Sequence, residues 1–171
     1  PAPGYPGAPA PAGGAPSFNA ANVATGDWII MGTAVILLIF SFFGWLSASA
    51  SLGLGYSYSY SFGAWHEYWW IATILGLAVG VVFALRAFAG QALQQIQPLF
   101  VLIAAGLGFV ITLIALIELF VKGDSGAGYS VGPGIGVWIC LIVSLIQTYL
   151  VWLWGQRQPS WTLPKLPGPV L

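Results

Sequence analysis

The sequence predicts an all-α membrane protein: a four-transmembrane-helix antiparallel bundle with a disordered Pro/Gly-rich N-terminal tail. Three observations predict it. Four apolar runs, about residues 28–46, 69–88, 99–121 and 135–154, have no charged residue near their middles. Each is close to the ~20 residues a helix needs to cross a ~30 Å hydrocarbon core at ~1.5 Å per residue. The chain of 171 residues is 58% hydrophobic and only 5% charged, with a mean hydropathy of +0.89, whereas a soluble domain carries ~25% charged residues to cover its surface. In lipid, moreover, separate runs of this length satisfy their backbone hydrogen bonds only as helices.

Residues 1–26 hold half of the prolines and no charge before Asp27. Such a segment buries too little apolar surface to offset its ordering entropy, so a flexible tail is expected. It lacks the basic stretch and continuous apolar run of a secretory signal peptide, so the first span is expected to stay in the mature protein. Between the first two spans, Ser47–Tyr68 alternates Leu52, Leu54, Tyr56, Tyr58, Tyr60 and Phe62 with glycine and serine. That period of two suits an extended strand or hairpin with one apolar face, lying at the bilayer interface. Trp65, Trp69 and Trp70 lead into span two at the density that headgroup regions favour. Ala89–Pro98 is short enough to force spans two and three into an antiparallel hairpin. Lys122–Gly134 is glycine-rich and reads as a flexible turn, and residues 155–171, with Pro159, Pro164, Pro167 and Pro169, read as an extended C-terminal segment.

The cations set the orientation. With the N-terminus cytoplasmic, Arg86, Arg157 and Lys165 fall inside and only Lys122 falls outside, which predicts a multi-pass plasma-membrane protein with both termini cytoplasmic.

Span two carries Ala72, Gly76, Gly80 and Ala84 at four-residue spacing, and span four repeats the device with Gly136, Cys140, Ser144 and Thr148. Small residues once per turn let helix backbones approach closely, where dispersion and weak hydrogen bonds replace the hydrophobic drive that lipid removes. These are the expected helix-packing residues. Gly80→Leu is expected to disrupt the packing, and Val79→Leu, on an adjacent face, to cost little.

Chemistry is sparse. His66 and Glu67 form the sole adjacent pair suited to acid–base or metal work, but a metal site needs three or four convergent ligands, and an interfacial anchor is the expected role. A single His and a single Cys, Cys140, give no Ser/His/Asp arrangement, no disulfide and no bis-histidine haem site. The loop glycines lack the Lys–Ser/Thr of a phosphate-binding loop. Glu118 and Lys122, spaced i,i+4, read as an interfacial ion pair. No catalytic, cofactor-binding or metal-binding residue is therefore expected, and balanced charge excludes a nucleic-acid partner. Tyr56, Tyr58, Tyr60, Phe62, Trp65, Trp69 and Trp70 form an aromatic outer loop, read either as a lipid anchor or as a surface for partner docking.

The tail words GYP (Gly4–Pro6) and APSF (Ala15–Phe18), followed by four short-looped spans, resemble actinobacterial four-helix transmembrane proteins with Pro/Gly/Tyr-rich tails, of the mycobacterial antigenic membrane-protein type. The C-terminus departs from that family's long Gln/Tyr/Pro-rich tail. Trp45 and the aromatic loop also resemble claudin-type tetraspans, without their extracellular cysteine pair. The first resemblance implies a cell-envelope protein with no catalytic residue to carry over. The expected function is that of a non-enzymatic accessory subunit or scaffold of a larger cell-envelope or respiratory membrane complex, with the lipid bilayer and other integral membrane proteins as partners. The alternative is a small oligomeric transporter or pore lined by Ser144, Gln147 and Thr148.

Overall fold

The structure is a computed structural model, which describes residues 23–51, 56–89 and 96–164. The tail words, Leu52, Leu54 and the last prolines lie outside these residues. Helix α1 (Thr25–Ser41) is shorter than the first apolar run and stops at Ser41 rather than at Leu46. The reason is competition for backbone partners. The Ser41 hydroxyl donates back to the Leu38 carbonyl at 2.6 Å, the Phe42 N–H closes the last turn, and Trp45 N–H donates to Phe62 O at 2.6 Å. The end of the apolar run thus leaves the helix for a sheet.

Helices α2 (Trp70–Ala89), α3 (Pro98–Val121) and α4 (Ile135–Gln156) follow the remaining runs closely. Pro98 stands in the first turn of α3, where its missing N–H costs no intrahelical bond. These three helices are long and apolar enough to cross a membrane. Each helix packs against its neighbours in sequence, and α1 also packs against α4, which closes a four-membered antiparallel ring. The outer surfaces are apolar as well: Val35, Ile39, Val81, Leu107 and Ile142 are all exposed, as a lipid solvent requires.

The protein is not all-α. Strands β1 (Leu46–Ser51) and β2 (Ser57–Phe62) from the first long loop join β3 (Asp124–Gly126) and β4 (Tyr129–Pro133) in one antiparallel sheet of order β2-β1-β4-β3. The first hairpin matches the period-two reading. The second corrects the flexible turn expected for Lys122–Gly134: Gly128, at φ +89°, turns the chain, and β4 occupies the edge of β1 that β2 leaves open. Its glycines and serines carry no periodicity from which pairing could be read. The C-terminal expectation also shifts, since α4 runs through Gln156 and the Trp161 ring then packs against Gly155.

Two clusters fill the bundle. Near the sheet, Leu37, Trp45, Trp69, Leu116, Leu119 and Val137 pack together. Toward the other end the cluster is Ile30, Val79, Phe83, Val101, Ala105 and Val151.

Candidate functional site

The sheet has two chemically distinct faces. In register, Leu46, Ala48 and Ala50 of β1 stand beside Phe62, Tyr60 and Tyr58 of β2 and beside Pro133, Val131 and Tyr129 of β4. Directly opposed residues share a face, and the alternate positions point away from it. Those alternate positions are Ser47, Ser49 and Ser51, paired with Ser61, Ser59 and Ser57 and, across β4, with Gly132 and Ser130. One face is apolar and aromatic and the other is almost wholly serine.

The serine face is solvated and its hydroxyls meet one another, with Ser49 Oγ 2.9 Å from Ser130 Oγ. A shallow depression of about 330 Å³ lies among Ser47, Ser49, Ser59, Ser61 and Ser130. The aromatic face is continuous with the bundle core through Leu46, but its outer part is uncovered: Tyr58 and Tyr60 are 65% and 67% exposed. Tyr129 is fixed by its hydroxyl, which donates to Asp124 Oδ2 at 2.8 Å. That hydrogen bond, more than burial, holds the Tyr129 phenol above the ordinary tyrosine value.

Trp45 ties this platform to the helices. Its side chain is buried and stacks on Trp69 at 5.9 Å between ring centroids. Its N–H donates to Phe62 O, and its carbonyl accepts from Gly134 N–H at 2.6 Å. Gly136 N–H donates to Gly44 O at 3.0 Å, so α4 starts against the segment that ends α1. A β-carbon at Gly136 would stand 2.8 Å from Phe43 O, which makes the small residue a requirement of that approach. At the same end Lys122 bridges Glu67 at 3.5 Å and Glu118 at 3.9 Å, joining the end of α3 to the segment that precedes α2.

The seven aromatic residues of the outer loop do not form one surface. Tyr56, Tyr58, Tyr60 and Trp70 are exposed, while Phe62 is half-buried against the Tyr60 and His66 rings. Trp65 lies over Phe42 and donates its indole N–H to Ser41 Oγ at 2.9 Å. Trp69 is only 2% exposed. Its place in the core corrects the docking reading for that residue, because the chain turns at Tyr68 and drives the ring inward against Trp45. His66 and Glu67 are exposed, and no cluster of three metal-ligating side chains occurs among the described residues.

The small-residue series face the interior. Ala72, Gly76, Gly80, Gly136, Cys140 and Ser144 are buried, and Ala84 and Thr148 are half-buried. A β-carbon at Gly80 would collide with Ala34 Cβ, and Gly108 faces the Ala72 carbonyl. Polar groups in the interior find backbone partners: Gln147 Nε2 donates to Gly76 O at 3.1 Å, Thr148 Oγ1 to Ala105 O at 3.1 Å, and Ser144 Oγ to Leu141 O at 3.0 Å. These side chains make their hydrogen bonds inside the bundle.

The serine face and the β4 pairing escaped the sequence reading. The signal for the first was present, because Ser47/Ser49/Ser51 and Ser57/Ser59/Ser61 repeat with a period of two, the latter in opposite phase to the aromatic residues. What the arrangement offers is a two-faced surface at one end of the bundle. No family model matches the chain, and no curated protein or solved structure is significantly similar to it.

Proposed function

We propose that the protein is a non-enzymatic, multi-pass plasma-membrane protein that acts by association, as an accessory subunit or scaffold of a larger membrane complex. The observation that carries this reading is the uncovered tyrosine face of a sheet anchored to the ends of the helices. Tyrosines presented on a rigid strand lose little conformational entropy on contact and are enriched at binding hot spots. In this reading all four helices cross the bilayer. Helix α1, with 17 residues, reaches ~25 Å at ~1.5 Å per residue, at the short end of the spanning range. The termini are cytoplasmic and the sheet faces outward. The distribution of cations supports that orientation, with Arg86, Arg157 and Lys165 inside and Lys122 alone outside.

The test is purification in mild detergent with mass spectrometry of co-eluting proteins, for wild type and for Tyr58→Ala with Tyr60→Ala. Companion proteins are expected with wild type and are expected to be lost from the double variant, which keeps membrane insertion and monomer stability. A clean monomer without companions, or full retention by the folded double variant, would leave the sheet as a lipid-interface anchor.

A further inference from the structure

The sheet ends in two unlike edges. One is β3, three residues long. Asp124 Oδ1 accepts the Ser125 N–H at 2.8 Å, Asp124 Oδ2 accepts the Tyr129 hydroxyl, and the Tyr129 ring lies against Gly126. Short length and a charge are devices that keep a strand edge from adding another strand. The other edge is β2, six residues of sequence SYSYSF. It holds no charge, proline or glycine, it is exposed up to the half-buried Phe62, and no strand flanks its outer side among the described residues.

An open edge presents a row of unpaired N–H and C=O groups, and what satisfies such a row in register is another strand. The pattern of β2 fits a copy of itself. Directly opposed residues of an antiparallel pair share a face, and the pairing of β1 with β2 already sets serine against serine. Two copies of β2 centred on Ser59 repeat this, with Ser57 opposite Ser61, Ser59 opposite Ser59 and Tyr58 opposite Tyr60. A slip of one residue would set serine against tyrosine and join unlike faces. With no charge on the strand, self-pairing meets no like-charge repulsion. The same register keeps the copies clear of the helices, since Phe62 leads into Gly63, which stands against the Ser41 carbonyl and Phe42. The two-fold axis of such a pair is normal to the sheet. The aromatic face, continuous with the bundle core through Leu46, then lies on one side in both copies, as two bundles in one bilayer require.

We propose that β2 pairs antiparallel with β2 of a second copy of this chain, joining two four-stranded sheets edge to edge. The pairing uses the backbone edge and leaves the tyrosine face open, so it holds whether or not another protein docks on that face.

The full chain is tested in membranes of the expressing cell, in the Cys140→Ser background. Opposed α-carbons of an antiparallel pair stand ~4.5–5.5 Å apart, within the ~4.4–6.8 Å that a disulfide spans, so Ser59→Cys should give a disulfide-linked dimer under mild oxidation. Ser49→Cys is exposed on the same face but one strand inward, which puts the two thiols about three strand spacings apart, roughly 14 Å, and it should not. Ser59→Lys sets two cations against each other on the two-fold axis and should lower mutual capture of differently tagged copies roughly tenfold. Ser59→Glu should do the same. Co-expression of Ser59→Lys with Ser59→Glu should restore capture, a rescue that misfolded chains would not show. Equal cross-linking of Ser59→Cys and Ser49→Cys, a Ser59→Cys adduct with a different protein, undiminished self-capture by Ser59→Lys, or no rescue by the mixed pair overturns the proposal. Loss of companion proteins is read on Tyr58→Ala with Tyr60→Ala, so the two results stand or fall separately.

Discussion

The carboxamide of Gln147 on α4 donates to the carbonyl oxygen of Gly76 on α2 across the diagonal of the bundle, at 3.1 Å. Gly76 permits the contact: a β-carbon there would stand 3.2 Å from Gln147 Oε1 and 2.5 Å from Leu37 Cδ1. Interhelical hydrogen bonds of this kind contribute ~0.6 kcal/mol on average, whereas forcing a large side chain into a packed interior typically costs ~1–3 kcal/mol. Gln147→Leu should therefore lower stability in detergent less than Gly80→Leu, whose new side chain meets Ala34. Val79 is fully buried and cannot serve as the neutral comparison that its place beside the glycine series suggests. Val81, on the exposed surface, can, and Val81→Leu should leave the melting temperature unchanged. Equal melting temperatures for Gly80→Leu and Val81→Leu would rule out close packing at that face.

Orientation is open to a direct test in intact cells. In a Cys140→Ser background, cysteines at Ser51 and Ser125, both exposed in or beside the sheet, should react with an impermeant thiol reagent. One at Gln97, exposed just before α3, should react only after permeabilisation. Labelling of Gln97→Cys alone would invert the assignment.

Gly128→Ala tests the second hairpin. Gly128 has φ +89°, a region that costs an L-residue roughly 1–2 kcal/mol, and a β-carbon would stand 2.8 Å from Ser51 O. Hydrogen-exchange protection of the β4 amides should fall while that of α2 and α3 holds. Unchanged protection in β4 would mean that the turn tolerates a side chain.

The Tyr129–Asp124 hydrogen bond predicts a pH dependence. Because the folded phenol is held above its ordinary value, mainly by Asp124, its contribution is complete below the unfolded tyrosine pKa and is lost as pH rises through the folded one. Subtracting the phenolate absorbance titration of Tyr129→Phe from that of wild type should leave a group ionising above free tyrosine. Asp124→Asn, which removes the charged acceptor, should bring it down. A Tyr129 that titrates with free tyrosine in the wild-type protein would show that the hydrogen bond is absent in solution.

Helix positions were readable because lipid imposes length and apolarity on every residue of a span, and α2, α3 and α4 begin and end close to their apolar runs. The first span misled at Phe42–Leu46, where residues as apolar as a helix core are recruited by backbone partners far along the chain. The aromatic loop showed a period of two, so β1 and β2 were legible. The pairing of β1 with β4 was not, since Gly132 and Pro133 have no strand propensity and their pairing is set by tertiary contact. Trp69 and Trp70 illustrate the same limit, being adjacent and identical in type, yet 2% and 40% exposed.

The sheet also imposes an order on biogenesis. Strand β1 is synthesised with β2 close behind, but its other edge waits for β4, and the paired hydroxyls of Ser49 and Ser130 are 81 residues apart. Until the second hairpin has been made, the nascent chain carries an unsatisfied strand edge, a template for pairing with another chain. A chain arrested before β4 would keep this edge open, and two such intermediates held in one membrane would be competent to exchange strands. Pairing of β4 with β1 is thus the step that closes this edge, and it brings the start of α4 against the segment that ends α1.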